Sequence, residues 1–341
     1  MSHTSPDATE DVTESAAGDV DKGESAPLGP VPLEPMDPQI RSIQPGGGLC
    51  MRLELAWGRW RRWYLKRFRP KYVARMAERR CGKPHGCPHE VLDPRDLKYY
   101  QNVADCRWAR EDDPFRWRDR LPFVRVGLGE LLLLGGGGLL LAAATAPIFW
   151  PISVAVAIPA LAICWFFRDP RREVPQGEGL VVSPADGHVA CIEEIDDEDV
   201  GGPAVLIGIF LSVFDVHLNR VPVSARVIGI RYRPGKFLNA IRPRSAQENE
   251  RVTVRLQETY PPYRLYVVRQ IAGAIARRIV CWIRPGDELQ RGAKFGMIKL
   301  GSRTELVLRR EPGMAIDVRP GQKVCAGTTV LARYRPAACP E

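Results

Sequence analysis

The sequence predicts an α+β fold: a mainly β C-terminal domain with a sandwich-barrel-like end, preceded by a membrane helical hairpin and a basic helical region. Three observations carry this. Residues 126–167 are almost wholly apolar. From about residue 180 the chain changes to short β-branched runs with turn signals roughly every ten residues. Ahead of both, from Trp57 to Arg80, arginine and lysine interleave with aromatic residues.

At 341 residues the chain can bury a sizeable core. Its formal net charge of +9 favours anionic partners, and charge alone does not choose between nucleic acid and an anionic membrane surface. The nine cysteines are scattered and odd in number, which argues for reduced thiols over a disulfide framework. Residues 1–48 are expected to be a disordered tail, being rich in acids, Ser, Pro and Gly at low hydrophobicity. They lack the basic and apolar regions of a secretory signal.

Residues 49–123 form a basic aromatic region, partly helical. Trp60, Tyr64 and Phe68, with Trp57 and Trp63 beside them, recur at three- and four-residue steps. One helical face is then aromatic and the other cationic. That face either lies on a membrane or packs on the rest of the protein; no nucleic-acid motif accompanies the charge. Cys81, His85, Cys87 and His89 cluster in CGKPHGCPHE, but their spacing lacks the CxxC and HxxxH pairs of common zinc sites, so no metal is expected. Asp93 and Asp113, each followed by proline, mark helix starts.

Residues 124–168 read as a transmembrane helical hairpin broken around Pro147 and Pro151. Each arm is near the ~20 residues needed to cross a hydrocarbon core. Arginines at 118, 120 and 125 precede the pair and others at 168, 171 and 172 follow it, which puts both flanks in the cytoplasm. A buried or re-entrant hairpin is the competing reading, and the run Gly135–Gly138 weakens the first helix.

Residues 169–341 form the β-rich domain, with one helix expected within QIAGAIARR. Its tail, IDVRPGQKVCAGTTVLARY, looks like the half-repeat of a biotinyl- or lipoyl-type sandwich barrel, but its one lysine, Lys323, lies off the turn apex. Taken in order, FFRDPRREVP, GLVVSPADGHV, FLSVFDVHLNRVPVSARV, GKFLNA, SAQENERV, QIAGAIARRIV, FGMIKLGSR and GQKVCAGTTVLA resemble the phosphatidylserine decarboxylase family in its shorter form, over approximately residues 165–335.

The resemblance implies a self-cleaving proenzyme that splits between Gly301 and Ser302. Ser302 becomes a pyruvoyl group, and its own small chain, 302–341, stays bound to the large one. The expected substrate is phosphatidylserine, converted to phosphatidylethanolamine and CO₂ at the cytoplasmic face of the inner membrane. The same chemistry on an ether-linked serine phospholipid, or an unprocessed relative serving as a lipid-binding scaffold, are the alternatives. A homo-oligomer is compatible with any of these.

The residue types suit such chemistry. A serine hydroxyl needs a base, and a glycine before it can take a strained backbone. By resemblance the candidates are Asp186 of SPADG and His217 of FDVH, with Asp215 nearby. Longer family members carry HxxH, whereas this chain has His217 followed by Arg220. Either one imidazole serves both self-cleavage and substrate proton transfer, or Asp186 acts without a histidine in one step. Asn239, Asn249 and Arg251 are candidates for headgroup contacts, and Phe214 and Phe237 for flanking the acyl chains.

Overall fold

The computed structural model describes residues 29–238, 244–274, 278–299 and 301–335. Asn239 therefore lies outside the described residues, as do residues 275–277 of the expected QIAGAIARR helix. The flanks of that segment are extended strand, so the helix expectation fails for the part described.

Fourteen strands are named here in chain order. They are β1 (Leu180–Val182), β2 (Gly187–Asp197), β3 (Gly202–Leu211), β4 (Leu218–Arg220), β5 (Ala225–Arg233), β6 (Arg251–Glu258) and β7 (Leu265–Ile271). There follow β8 (Arg278–Cys281), β9 (Glu288–Leu289), β10 (Lys294–Lys299), β11 (Ser302–Arg309), β12 (Ala315–Ile316), β13 (Lys323–Val324) and β14 (Val330–Arg333). An eight-stranded antiparallel sheet runs β13-β2-β3-β11-β7-β6-β5-β9, and two three-stranded sheets run β1-β14-β12 and β4-β10-β8.

The sequence reason for this sheet is visible in β11. Leu306 and Leu308 point into the main core with Val205, Ile207, Val268 and Tyr266, while Val307 joins a second cluster on the opposite face. Both faces are covered, so the run reads as continuously apolar where an alternation would mark a half-exposed strand. The tail strands do not form a unit of their own: β13 pairs with β2, and β12 and β14 join β1. They close on the segments that flank SPADG.

Residues 29–48, expected to belong to the tail, pack on the β domain. Ile40 and Ile43 are buried, the Glu34 amide donates to the Ile228 carbonyl, and the Cys281 amide donates to the Ile43 carbonyl. A few isolated apolar residues in a proline-rich stretch suffice to dock an extended strap, yet leave no periodicity to read.

The basic region folds as helices Leu49–Phe68 and Pro70–Glu78, and the first turns Arg61, Arg62 and Glu54 inward while Arg52, Arg59, Lys66 and Arg67 stay exposed. Arg61 and Arg62 pair with Asp93 and Asp96, and Lys98 pairs with Glu54. Trp57, Trp60, Trp63, Tyr64 and Phe68 lie on the exposed side, packed on one another in stacked, tilted and edge-on pairs with neighbouring centroids 4.7–5.9 Å apart. Cys81, His85, Cys87 and His89 do not converge, and no group of three or more metal-ligating side chains occurs among the described residues.

One helix, Arg125–Thr145, is long and apolar enough to cross a membrane; the second arm, Trp150–Phe166, is shorter. The two pack side by side through small residues. A Cβ on Gly138 would lie 2.8 Å from that of Ala160, and one on Gly135 would lie 3.0 Å from Cys164 Sγ. The glycine run that weakens the first helix by propensity is thus what lets the second approach.

Candidate active site

Strand pairing brings the motifs to one end of the large sheet. In the ladder β2-β3-β11, His188 lies opposite Phe210 and Leu211 lies opposite Ser302. Asp186, the 212–217 loop and Ser302 therefore emerge at the same edge, with Asp186 two strand spacings, roughly 10 Å, from Ser302. Gly187 is what allows the close approach of β2: a Cβ there would meet the Phe210 carbonyl oxygen at 2.1 Å, and its φ is +148°.

Ser302 opens β11 and is wholly buried, and its Oγ has no hydrogen-bond partner among the described residues. A buried hydroxyl without a partner costs about 1–3 kcal/mol, and in a native fold such a group asks for a reason. Gly301 before it has φ +59°, in the left-handed region. Among the described residues nothing lies within 4 Å of where its Cβ would be, so backbone conformation, not space, favours glycine here.

The Gly301 N–H donates to His217 Nε2 at 3.2 Å, and His217 Nδ1–H donates to the Asp215 backbone carbonyl at 2.9 Å. These two bonds fix one neutral tautomer. The imidazole is completely buried, its ring 4.5 Å from that of Phe166. Burial lowers its pKa to about 4, against the raising effect of the Asp215 carbonyl and charge.

The hydrogen bond that Asp215 accepts from the histidine is thus to its backbone carbonyl. Its carboxylate accepts from the Ser212 amide and hydroxyl at 2.8 and 2.7 Å, closing the turn that presents His217. Asp186 makes no hydrogen bond to either Ser302 or His217 among the described residues. Its two oxygens accept from Arg172 Nη2 at 2.6 Å and the Ala326 amide at 2.7 Å. Burial raises its pKa, opposed by these two donors.

The remaining candidates separate. Phe214 is 75% exposed, and its carbonyl accepts from Arg168. Phe237 packs on the main core. The Asn249 amide is occupied by the Leu238 amide and the Leu238 and Ala272 carbonyls, so it brackets two loops. Arg251 lies opposite Ile271, which lies opposite Arg303. Cross-strand partners share a face and adjacent residues do not, so Arg251 and Ser302 are on opposite faces of the sheet. Proximity along SAQENER does not specify a face.

Several contacts escape a reading of motifs. Phe166 covers His217, Arg172 holds Asp186, and a buried chain runs from Thr304 through Asn219 to Gln270, with bonds of 3.1 and 2.8 Å. Arg172 and Asn219 sit inside FFRDPRREVP and FDVHLNR, so their motifs flagged them without giving a role. Arg220, at the place of the longer members' second histidine, donates to the Gly292 carbonyl and faces Asp169 at 3.5 Å.

The family profile described as phosphatidylserine decarboxylase matches residues 160–332. A phosphatidylserine decarboxylase proenzyme of Rhodopirellula baltica is 54% identical over 239 residues, covering 70% of this chain and 99% of that protein. One from Symbiobacterium thermophilum is 46% identical over 187 residues, 54% of this chain and 85% of the relative. A third, from Syntrophus aciditrophicus, is 41% identical over 224 residues, 65% of this chain and 99% of the relative.

Proposed function

The chain belongs to the phosphatidylserine decarboxylase family, and from that premise we propose that it cleaves itself between Gly301 and Ser302 and then converts phosphatidylserine to phosphatidylethanolamine and CO₂. The observation that carries the site assignment is the buried Ser302 Oγ, without a hydrogen-bond partner among the described residues, beside a left-handed Gly301.

Ser302 Oγ attacks the Gly301 carbonyl carbon. The new C–O bond replaces the C–N bond, and the hydroxyl proton ends on the Ser302 nitrogen. Removal of the Ser302 α-proton breaks the Cβ–O bond and frees the Gly301 carboxylate; hydrolysis with loss of ammonia then leaves a ketone. His217 Nε2, one peptide away and neutral, is the base within reach. To act on Ser302 it must exchange the Gly301 N–H for the hydroxyl or α-proton.

The residues fit a pyruvoyl group, since the precursor hydroxyl is enclosed and no other described residue claims it. Such a group supplies an electron sink for the electrons released as CO₂ departs. After cleavage β11 remains hydrogen-bonded between β3 and β7, and the Ala326 amide still donates to Asp186. The small chain 302–341 is therefore held by the core it helps to build.

Membrane anchoring at the cytoplasmic face of the inner membrane is part of the proposal. Its support is the exposed apolar surface of the hairpin, including Leu140, Ile148 and Trp150, and the outward aromatic row of helix Leu49–Phe68. Carbonate washing is expected to leave the protein in the membrane fraction. Intact-mass measurement tests the chemistry: the wild type should yield a small chain with a pyruvoyl-blocked N-terminus, and Ser302→Ala one uncut chain without decarboxylase activity. A wild type found only at full length, or a Ser302→Ala variant that releases CO₂, overturns the assignment.

A further inference from the structure

Between the hairpin and the β domain lies a cavity of about 690 Å³, lined mainly by apolar side chains including Leu134, Leu161, Ile163, Trp165 and Phe166. That is the size range of small-molecule sites. Its lining also includes three charged residues, Glu130, Lys299 and Arg278. The cavity adjoins the site in two ways. Phe166 shares its wall with the His217 ring, and Lys299 ends β10 directly after Ile298, whose amide donates to the His217 carbonyl at 3.2 Å.

Glu130 is the one acid within the apolar arm, and it is buried. One of its carboxylate oxygens pairs with Lys299; the other has no partner among the described residues. A carboxylate in such a setting is costly, and core packing needs none. What it does here is hold an ammonium against the wall of an otherwise greasy chamber, close to the strand that leads into the cleavage site.

Resting on the function proposed above, we propose that this cavity receives the lipid part of the substrate and that Lys299, oriented by Glu130, grips the phosphate of its headgroup. The phosphate is the suitable anion. A cation paired with the departing carboxylate would stabilise the ground state against loss of CO₂, whereas the phosphate is the same in substrate, transition state and product. Binding through it is uniform, so it sets KM and product affinity and leaves kcat alone.

The test uses full-length protein in phosphatidylserine-containing mixed micelles, with Lys299→Met, Lys299→Arg and the double variant Glu130→Gln/Lys299→Met, which removes the pair without leaving a lone buried carboxylate. Self-cleavage is read on gels, and decarboxylation by CO₂ release. The expected result is normal cleavage in all three. In the double variant KM should rise about tenfold or more with kcat within about twofold, and inhibition by phosphatidylethanolamine should weaken by the same factor. Lys299→Arg should restore most of both. Wild-type KM in the double variant overturns the proposal. So does failure of the double variant to self-cleave, which makes the pair a prop for the Gly301–Ser302 segment. A wild type that neither splits nor releases CO₂ refutes the underlying function instead, so the two failures are distinguishable.

Discussion

Acidification tests the state of His217 most directly. Its burial under Phe166 lowers the pKa to about 4, whereas an exposed imidazole titrates near 6.5. At pH 5 a group of pKa about 4 is roughly 90% neutral and one of 6.5 about 3% neutral, a difference of about thirtyfold in competent base. If His217 serves self-cleavage as a neutral base, the rate constant should stay level from pH 8 to about 5 and halve near 4. The assay is a short pulse of cell-free synthesis in the presence of vesicles, a jump to the chosen pH, and the appearance of the small chain with time. A midpoint near 6.5 would refute the claim that the precursor holds a desolvated imidazole.

The same displacement has a stability consequence whose sign is fixed. Between pH 6.5 and about 4 the unfolded chain binds a proton at this position and the folded chain does not, so stability falls as pH falls through that window. The full loss is about 3 kcal/mol, and it should be absent when a Ser302→Ala/His217→Gln chain is compared with Ser302→Ala alone.

Two substitutions probe the neighbours. At Gly301 the requirement is a left-handed backbone in open space, so Gly301→Asn should retain more self-cleavage than Gly301→Val, as judged by the fraction of split chain at a fixed time. The reverse order would mean that side-chain bulk matters more than φ. At Asp186, replacement by Asn puts an amide against Arg172 in place of a buried charge-assisted bond; the Ser302→Ala background should lose about 2 kcal/mol, seen as a lower thermal midpoint. An unchanged midpoint would show that this pair holds nothing.

The sequence disclosed the β-rich domain, the apolar hairpin and the Gly-Ser pair because each leaves a local signature: β-branched runs, uninterrupted hydropathy and a motif. What it could not convey was direction. Arg251 and Asn249 lie in a promising motif, yet register turns one to the far face of the sheet and backbone groups occupy the other. The aromatic row of the first helix is periodic in sequence, but only its inward ion pairs with Asp93 and Asp96 decide that the rings face outward. The use of the Asp215 carbonyl in place of its carboxylate is likewise a matter of backbone geometry, to which residue type is blind.

The segment that leaves the hairpin ties these pieces together. Within seven residues it supplies Phe166 to the His217 ring, Arg168 to the Phe214 carbonyl at 2.8 Å, and Arg172 to the Asp186 carboxylate. The hairpin is therefore part of the wall that keeps water from the imidazole, besides any role in anchoring. Phe166→Ala separates the two roles. It removes the ring that covers His217 and leaves the apolar length of the arm nearly unchanged, so membrane attachment should survive. Readmitted water would relieve the desolvation that dominates the shift, and the midpoint of the self-cleavage pH profile should move up from about 4 toward 6.5. At pH 5 the variant should then cleave several-fold more slowly relative to its own rate at pH 8 than the wild type does. An unmoved midpoint in a chain that still cleaves at pH 8 would show that the β domain alone keeps His217 dry.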